Sequence, residues 1–246
     1  MQTLQDPVAE GRRVAQAAAE RGVPLRLMGG VAVAISCPSS SHPPLEREYA
    51  DIDLVTTGAA KDGVVDLMEA AGYQADREFN TLHGHRRLFF WDGENERQAD
   101  VFVDEARLCH RVDFRKRLEI GTLTLPVADL TVLKLQVVET NEKDHLDLCA
   151  LLSDHELTTD ESGVNVTHIA NLAATDWGLW KTMDIVAQRT ERFARALPSF
   201  AGAERVTNRL RKLREELDRV PKSRAWKLRA KLGERKRWYE LPEEVR

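Results

Sequence analysis

Cysteine is scarce in this chain of 246 residues: only Cys37, Cys109 and Cys149 are present, an odd number with no CxxC pair. That excludes a disulfide framework and a cysteine-built zinc knuckle, and it points to a reducing compartment. Long apolar runs are missing as well. No stretch reaches the roughly 18 apolar residues that a membrane span needs, and Met1 to Glu10 has no basic segment leading into an apolar core. The expectation is a cytoplasmic protein with no membrane partner. Aromatic residues make up only 6% and are scattered, whereas 42% hydrophobic and 31% charged residues are the balance of a soluble globular protein.

The charge that is present is unevenly placed. Lys181 to Arg246 holds 19 Lys and Arg against 10 Asp and Glu, so a net charge of −4 conceals a basic tail on an acidic body. Two readings stand at this point: the tail contacts nucleic-acid phosphates, or its helices are solvated and dock on the body.

Periodicity divides the chain. Val8 to Arg21 has helical spacing up to Gly22, Leu25 to Met28 is a short strand, and Gly29-Gly30 leads into a helix from Val31. Cys37 to Tyr49, with its prolines and serines, reads as a surface loop. Asp51 to Thr57 alternates as a half-buried strand does, Lys61 to Ala71 is amphipathic, and Arg86 to Trp91 and Gln98 to Val103 are strands on either side of an Asp-Gly turn signal. Leu118 to Leu125 is one more strand candidate. Beyond Pro126 the period is 3.6, over Val127 to Glu139, Glu142 to Leu152, Trp177 to Ala196, Ala203 to Val220 and Arg224 to Arg237. The fold class expected is α+β. A small mixed β-sheet with flanking helices forms a first domain over 1–152, with a core of about 25–125 and helices over 126–152. Asp154 to Asn165 is the expected linker, and 166–246 a basic helical domain.

Three pieces follow in order: Met28-Gly29-Gly30 at a strand end, Asp51-Ile52-Asp53, and Ala99-Asp100-Val101. Residues two apart on a strand share a face, so Asp51 and Asp53 project together, and Asp100 joins them from a neighbouring strand. Clustered carboxylates repel unless a cation neutralises them, and hard oxygen donors suit Mg²⁺ together with substrate phosphates. Glycines at a strand-to-helix turn let backbone amides approach a triphosphate. A Gly-Gly pair alone is usually a turn, and an Asp-x-Asp alone usually a solvated strand face; the ordered combination carries the weight.

Over about Leu25 to Val103 these residues resemble the nucleotidyltransferase superfamily that includes DNA polymerase β. Lys134 in Leu130-Thr-Val-Leu-Lys-Leu, and Lys143-Asp144-His-Leu-Asp147-Leu, look like the AbiEii-type abortive-infection toxins and extend the resemblance to about Leu152. The resemblance implies that Asp51, Asp53 and Asp100 bind two Mg²⁺ ions (or Mn²⁺) and that Asp100 helps to activate an acceptor hydroxyl. It also implies that Lys134 contacts the phosphates of a nucleoside triphosphate held at Gly29-Gly30, with Asp144 beside the site. The implied reaction moves a nucleotidyl group to an acceptor hydroxyl and releases pyrophosphate. The acceptor would be tRNA or another RNA met by the basic helices, and an antitoxin protein would be a partner. An aminoglycoside-type small-molecule acceptor and a non-catalytic nucleotide- or partner-binding regulator are the alternatives. The gap from Gly30 to Asp51 is longer than is usual in that family.

Other patterns carry less. Gly178 to Thr182 lacks the upstream glycine of a phosphate loop, and His83, His85, Cys109 and His110 have chance-level zinc spacing. Arg86 and Arg87 are placed to contact nucleotide or acceptor. Trp177, Trp180, Trp226 and Trp238 either stack bases or pack a helical core.

Overall fold

A computed structural model describes residues 2–241 and shows an α+β protein. The chain forms two compact units, the first comprising the chain up to Ser36 with Glu48–Ala106 and Val112–Pro126, the second Cys37–Arg47, Arg107–Arg111 and the chain from Val127 onward.

In the first unit, α1 (Pro7–Glu20) starts at Asp6, whose side chain accepts from the Ala9 amide, and Pro7 stands at a first-turn position where its missing N–H costs nothing. Then come β1 (Leu25–Met28), α2 (Gly29–Ser36), β2 (Ile52–Thr56), α3 (Lys61–Ala70), β3 (Gln74–Ala75), α4 (Arg77–His83), β4 (Arg87–Asp92) and β5 (Arg97–Val103). The sheet order is β1-β2-β5-β4-β3. Only the β2–β5 pair is parallel; β1–β2, β5–β4 and β4–β3 are antiparallel, which makes the sheet mixed as expected. Alternation sorts the side chains. Leu25, Leu27, Ile52, Leu54, Leu88, Phe90, Ala99 and Val101 point to one face and are all buried. The opposite face carries Met28, Asp53, Asp100, Phe89 and Arg87. The strand expected over Leu118 to Leu125 shrinks to one bridge, Thr124 beside Leu27, held by backbone hydrogen bonds from Leu27 to Leu123 and from Leu125 to Leu27.

The second unit contains α5 (Val127–Leu135), α6 (Glu142–Asp154), α7 (Val166–Thr175), α8 (Trp177–Ala196), α9 (Ala203–Arg219) and α10 (Arg224–Leu232). Helix α5 ends earlier than its periodicity predicts, because the Val138 amide turns to the Cys109 sulfur and Asn141 begins the next helix. The segment 154–165, expected as a linker, lies inside this unit and carries a parallel two-residue pairing, Leu157–Thr158 with Val164–Asn165. The loop after Cys37 is not loose either. It opens with a 3-10 turn over Pro38–Ser41, buries Cys37 and Leu45, and docks on α6 through the Ser39 amide, which donates to Asp154 at 2.8 Å. Trp177 packs 6.1 Å from Trp238, and Trp180 packs 5.4 Å from Trp226 while donating to Asp218, so these indoles form a structural cluster. The three cysteines are buried and unpaired, and burial pushes the Cys149 thiol up to about 12, which leaves it inert. Among the described residues no helix is long and apolar enough to cross a membrane.

Candidate active site

The parallel β2–β5 register sets Asp53 opposite Asp100, and the antiparallel β1–β2 register sets Met28 opposite Asp53. Strand neighbours lie about 4.8 Å apart, so the Asp53 and Asp100 side chains rise together from one face. Asp53 is half-buried and Asp100 is 4% exposed. Asp51 comes one residue before β2 and is exposed, so it is placed by the incoming loop and not by a ladder.

Immediately after Met28 the chain turns into α2 at Gly29, whose φ is +67°. A Cβ here would overlap the Asp53 carboxylate. Only glycine satisfies both the left-handed backbone and the close approach, so the β1–α2 turn and the Asp53 carboxylate form a single fitted unit. Gly30 follows in the first turn of α2.

Arg87, expected from the sequence to contact nucleotide or acceptor, is engaged with one of the two acids. Its Nε donates to Asp100 Oδ1 at 2.7 Å, and its guanidinium lies 5.2 Å from the centre of the Phe102 ring. The hairpin explains the pairing. With a connection over 93–96, Asp92 faces Arg97, Phe89 faces Asp100 and Arg87 faces Phe102, which leaves Arg87 one diagonal step from Asp100 on the same face. The Asp-Gly turn signal and strand alternation together contained this register.

Among the described residues no group of three or more His, Cys, Asp or Glu side chains is arranged to hold a metal ion. This covers both the three-carboxylate cluster expected at Asp51, Asp53 and Asp100 and the zinc set of His83, His85, Cys109 and His110. The physical reasons at the first are visible: Asp51 is outside the strand, and Asp100 is engaged by a guanidinium. Two oxygen-donor side chains in register still suit Mg²⁺, which takes one or two carboxylates and fills its remaining positions with water and phosphate. The Asp53–Asp100 pair beside a turn that admits no Cβ therefore fits a magnesium-bound nucleotide.

Lys134 and Asp144 lie together in the second unit. Lys134 Nζ is 2.8 Å from Asp147 and 3.1 Å from Asp144. Burial would push the ammonium down, but the two carboxylates outweigh it and hold Lys134 above the ordinary lysine value. Asp144 is also the capping-box residue of α6, accepting from the Asn141 amide while its own amide donates to the Asn141 side chain. Asp147 in turn receives both Nε and Nη2 of Arg47 at 2.8 Å, a bidentate pair that ties the long loop to α6. The Lys-Asp-x-x-Asp pattern thus has a complete architectural account within its own unit.

No family model matches the chain, and no curated protein matches its sequence. Among solved structures it is similar to the antibiotic-resistance factor ANT(2'')-Ia, at 15% identity and a TM-score of 0.37 over 68% of this chain and 93% of that one. It is also similar to JHP933 from Helicobacter pylori, at 11% identity and a TM-score of 0.42 over 93% and 99%. A third is an H. pylori protein provisionally described as a nucleotidyltransferase, at 11% identity and a TM-score of 0.40 over 89% and 100%.

Proposed function

We propose that the chain is a nucleotidyltransferase that moves a nucleotidyl group from a nucleoside triphosphate to an acceptor hydroxyl. The observation carrying this reading is the coupling of Gly29 to Asp53 and of Asp53 to Asp100: a turn that brings backbone against one carboxylate, with a second carboxylate opposite it in the parallel ladder. A purely structural strand end has no use for a half-buried acid and a buried one side by side on one face. Asp53 and Asp100 are the residues that would hold Mg²⁺, with Asp51 at the entrance. When bound, the ion would neutralise phosphate charge and lower the pKa of the attacking hydroxyl. In this reading the amides at the start of α2 receive phosphate oxygens, and the helix dipole adds to that attraction. Arg87 holds the Asp100 carboxylate in place and carries the positive charge that offsets carboxylate repulsion.

An RNA end is the acceptor in this reading, supported by the resemblance and by the basic tail; a role as a toxin with an antitoxin partner is part of the same proposal. Incubating the protein with each α-labelled nucleoside triphosphate, Mg²⁺ and either total RNA or an aminoglycoside panel tests it. Label transferred to RNA supports the reading. Label on an aminoglycoside alone keeps the reaction and replaces the acceptor, and no transfer to any acceptor with any nucleotide refutes it.

A further inference from the structure

Trp91 stands apart from the other indoles. The chain has five tryptophans, and the other four belong to the packed cluster of the second unit. Trp91 lies on β4 of the first unit, is 37% exposed and makes no ring contact among the described residues. Alternation puts it with Phe89 and Arg87 on the face that carries Asp100; across the ladder Trp91 meets Gln98, Phe89 meets Asp100 and Arg87 meets Phe102. Burial agrees with this sorting. Leu88 and Phe90, which alternate with these residues, are buried, whereas Phe89 and Phe102 are half-buried and Gln98 is exposed. The β4–β5 part of the sheet thus presents an open row of rings that begins directly opposite one of the two acids of the candidate active site.

The row is held rigidly. The Asn80 side chain takes both backbone groups of Phe89, donating to its carbonyl at 3.2 Å and accepting from its amide at 2.7 Å, and β3 pairs with Phe90 and Trp91. Over these three residues the outer edge of β4 is closed to an added strand, so a ligand meets the strand face on. Behind Trp91 the hairpin end is pinned by the buried Asp92–Arg97 pair at 2.6 Å and by the Thr3 hydroxyl, which donates to Asp92 at 2.8 Å. Phe79 supports Phe89 edge-on, with 6.0 Å between ring centres. Flat rings two residues apart on an open sheet face, about 6.7 Å, suit the bases of a single strand splayed out of its stack. An aminoglycoside offers no planar ring and brings several ammonium groups. Among Arg87, Phe89, Trp91, Gln98, Asp100 and Phe102 the one acid is already paired with Arg87.

We propose that Phe89 and Trp91 position the acceptor: the terminal base of a single-stranded RNA stacks on Phe89, which brings its ribose hydroxyl beside Asp100, and the preceding base stacks on Trp91. The role given to Asp100 rests on the transferase reading above; the stacking does not.

The test measures binding of the full chain to a short oligoribonucleotide without nucleoside triphosphate, and to two versions that lack the 3′-terminal or the penultimate base but keep ribose and phosphates. Phe89→Leu, which keeps an apolar side chain but no ring, and Trp91→Ala are each expected to weaken binding of the intact strand about tenfold. The salt slope should stay that of the parent, because no phosphate contact is lost. Removing the terminal base should cost the parent about as much as Phe89→Leu does and cost that variant nothing more; Trp91→Ala and the penultimate base should be coupled in the same way. Trp91→Phe should recover most of the affinity, and the KM for nucleoside triphosphate should not move in any of the three. Asp53→Asn should bind the strand as the parent does, which keeps binding and reaction apart. Ring-dependent binding with no transfer by the parent supports the stacking platform and rejects the reaction. Transfer to RNA with unchanged strand affinity in Phe89→Leu and Trp91→Ala overturns the platform and leaves the reaction standing. Equal losses for intact and base-lacking strands, or a parent that binds no strand while Trp91→Ala dissociates a dimer, also overturn the proposal.

Discussion

Replacing Gly29 with alanine separates backbone strain from site geometry, because Gly22 provides a matched control. Both glycines sit at similar positive φ, +67° and +65°, but a Cβ on Gly22 meets nothing within 4 Å whereas one on Gly29 overlaps the Asp53 carboxylate. A left-handed alanine costs about 1–2 kcal/mol. Gly22→Ala should therefore lose about that much in urea unfolding. Gly29→Ala adds the displacement of Asp53 from its rotamer, about 0.5–1.5 kcal/mol more. The second readout is divalent-ion binding, followed by Mn²⁺ titration: Gly29→Ala should weaken it and Gly22→Ala should leave it alone. Equal destabilisation by the two variants, with equal Mn²⁺ affinity, would refute the claim that Gly29 is fitted to Asp53.

Further outcomes follow from named contacts. Asp53→Asn should stay folded and lose nucleotidyl transfer by orders of magnitude, since one oxygen ligand is weakened while the shape is kept; comparable turnover in a labelled-nucleotide assay would count against it. Arg47→Ala removes the bidentate partner of an Asp147 that is almost fully buried, and should destabilise towards the lower end of about 3–5 kcal/mol because Lys134 stays beside that carboxylate; urea unfolding measures this. Glu10 is fully buried, and although burial alone would raise its pKa, Arg13, the Leu4 amide and the Tyr73 hydroxyl hold it below the ordinary glutamate value. Its contribution is therefore present above about pH 4.3 and fades as pH falls through the folded pKa. Glu10→Gln should cost about 1–3 kcal/mol near neutrality, and the gap to the parent should close at acid pH in melts across that range.

How much of this was legible in the sequence depends on the range of the contacts. The period-two alternation of Ile52, Asp53 and Leu54 fixed which face each side chain takes, and the Gly29-Gly30 turn was readable because so few residues tolerate a strand that runs straight into a helix. Helices α8 and α9 were readable from their apolar stripes and the prolines after them. The long loop was harder, since proline and serine mark the absence of regular structure but say nothing of docking; the Arg47–Asp147 pair spans a hundred positions. Lys134 and Asp144 illustrate a different limit. A motif identifies residue types at a spacing, and the same spacing serves a capping box and a buried ion pair as readily as a phosphate contact.

The basic tail shows the same limit for charge. A net excess of positive residues left phosphate binding and docking on the body as two readings, and α9 carries four of those residues close together in Arg209, Arg211, Lys212 and Arg214. Three of these face acids of their own unit: Arg209 pairs with Glu156 and donates to the Leu152 carbonyl, Arg211 stands 3.7 Å from Glu191, and Arg214 is 2.7 Å from Asp184. Lys181 is likewise 2.7 Å from Glu234. Such charges hold α9 and α10 in place, and a guanidinium that is 9% exposed, as Arg209 is, has little surface left for a ligand. Summed charge counts these cations equally with exposed ones, yet only cations that face solvent around a concave surface with a donor beneath them can recognise an anion specifically.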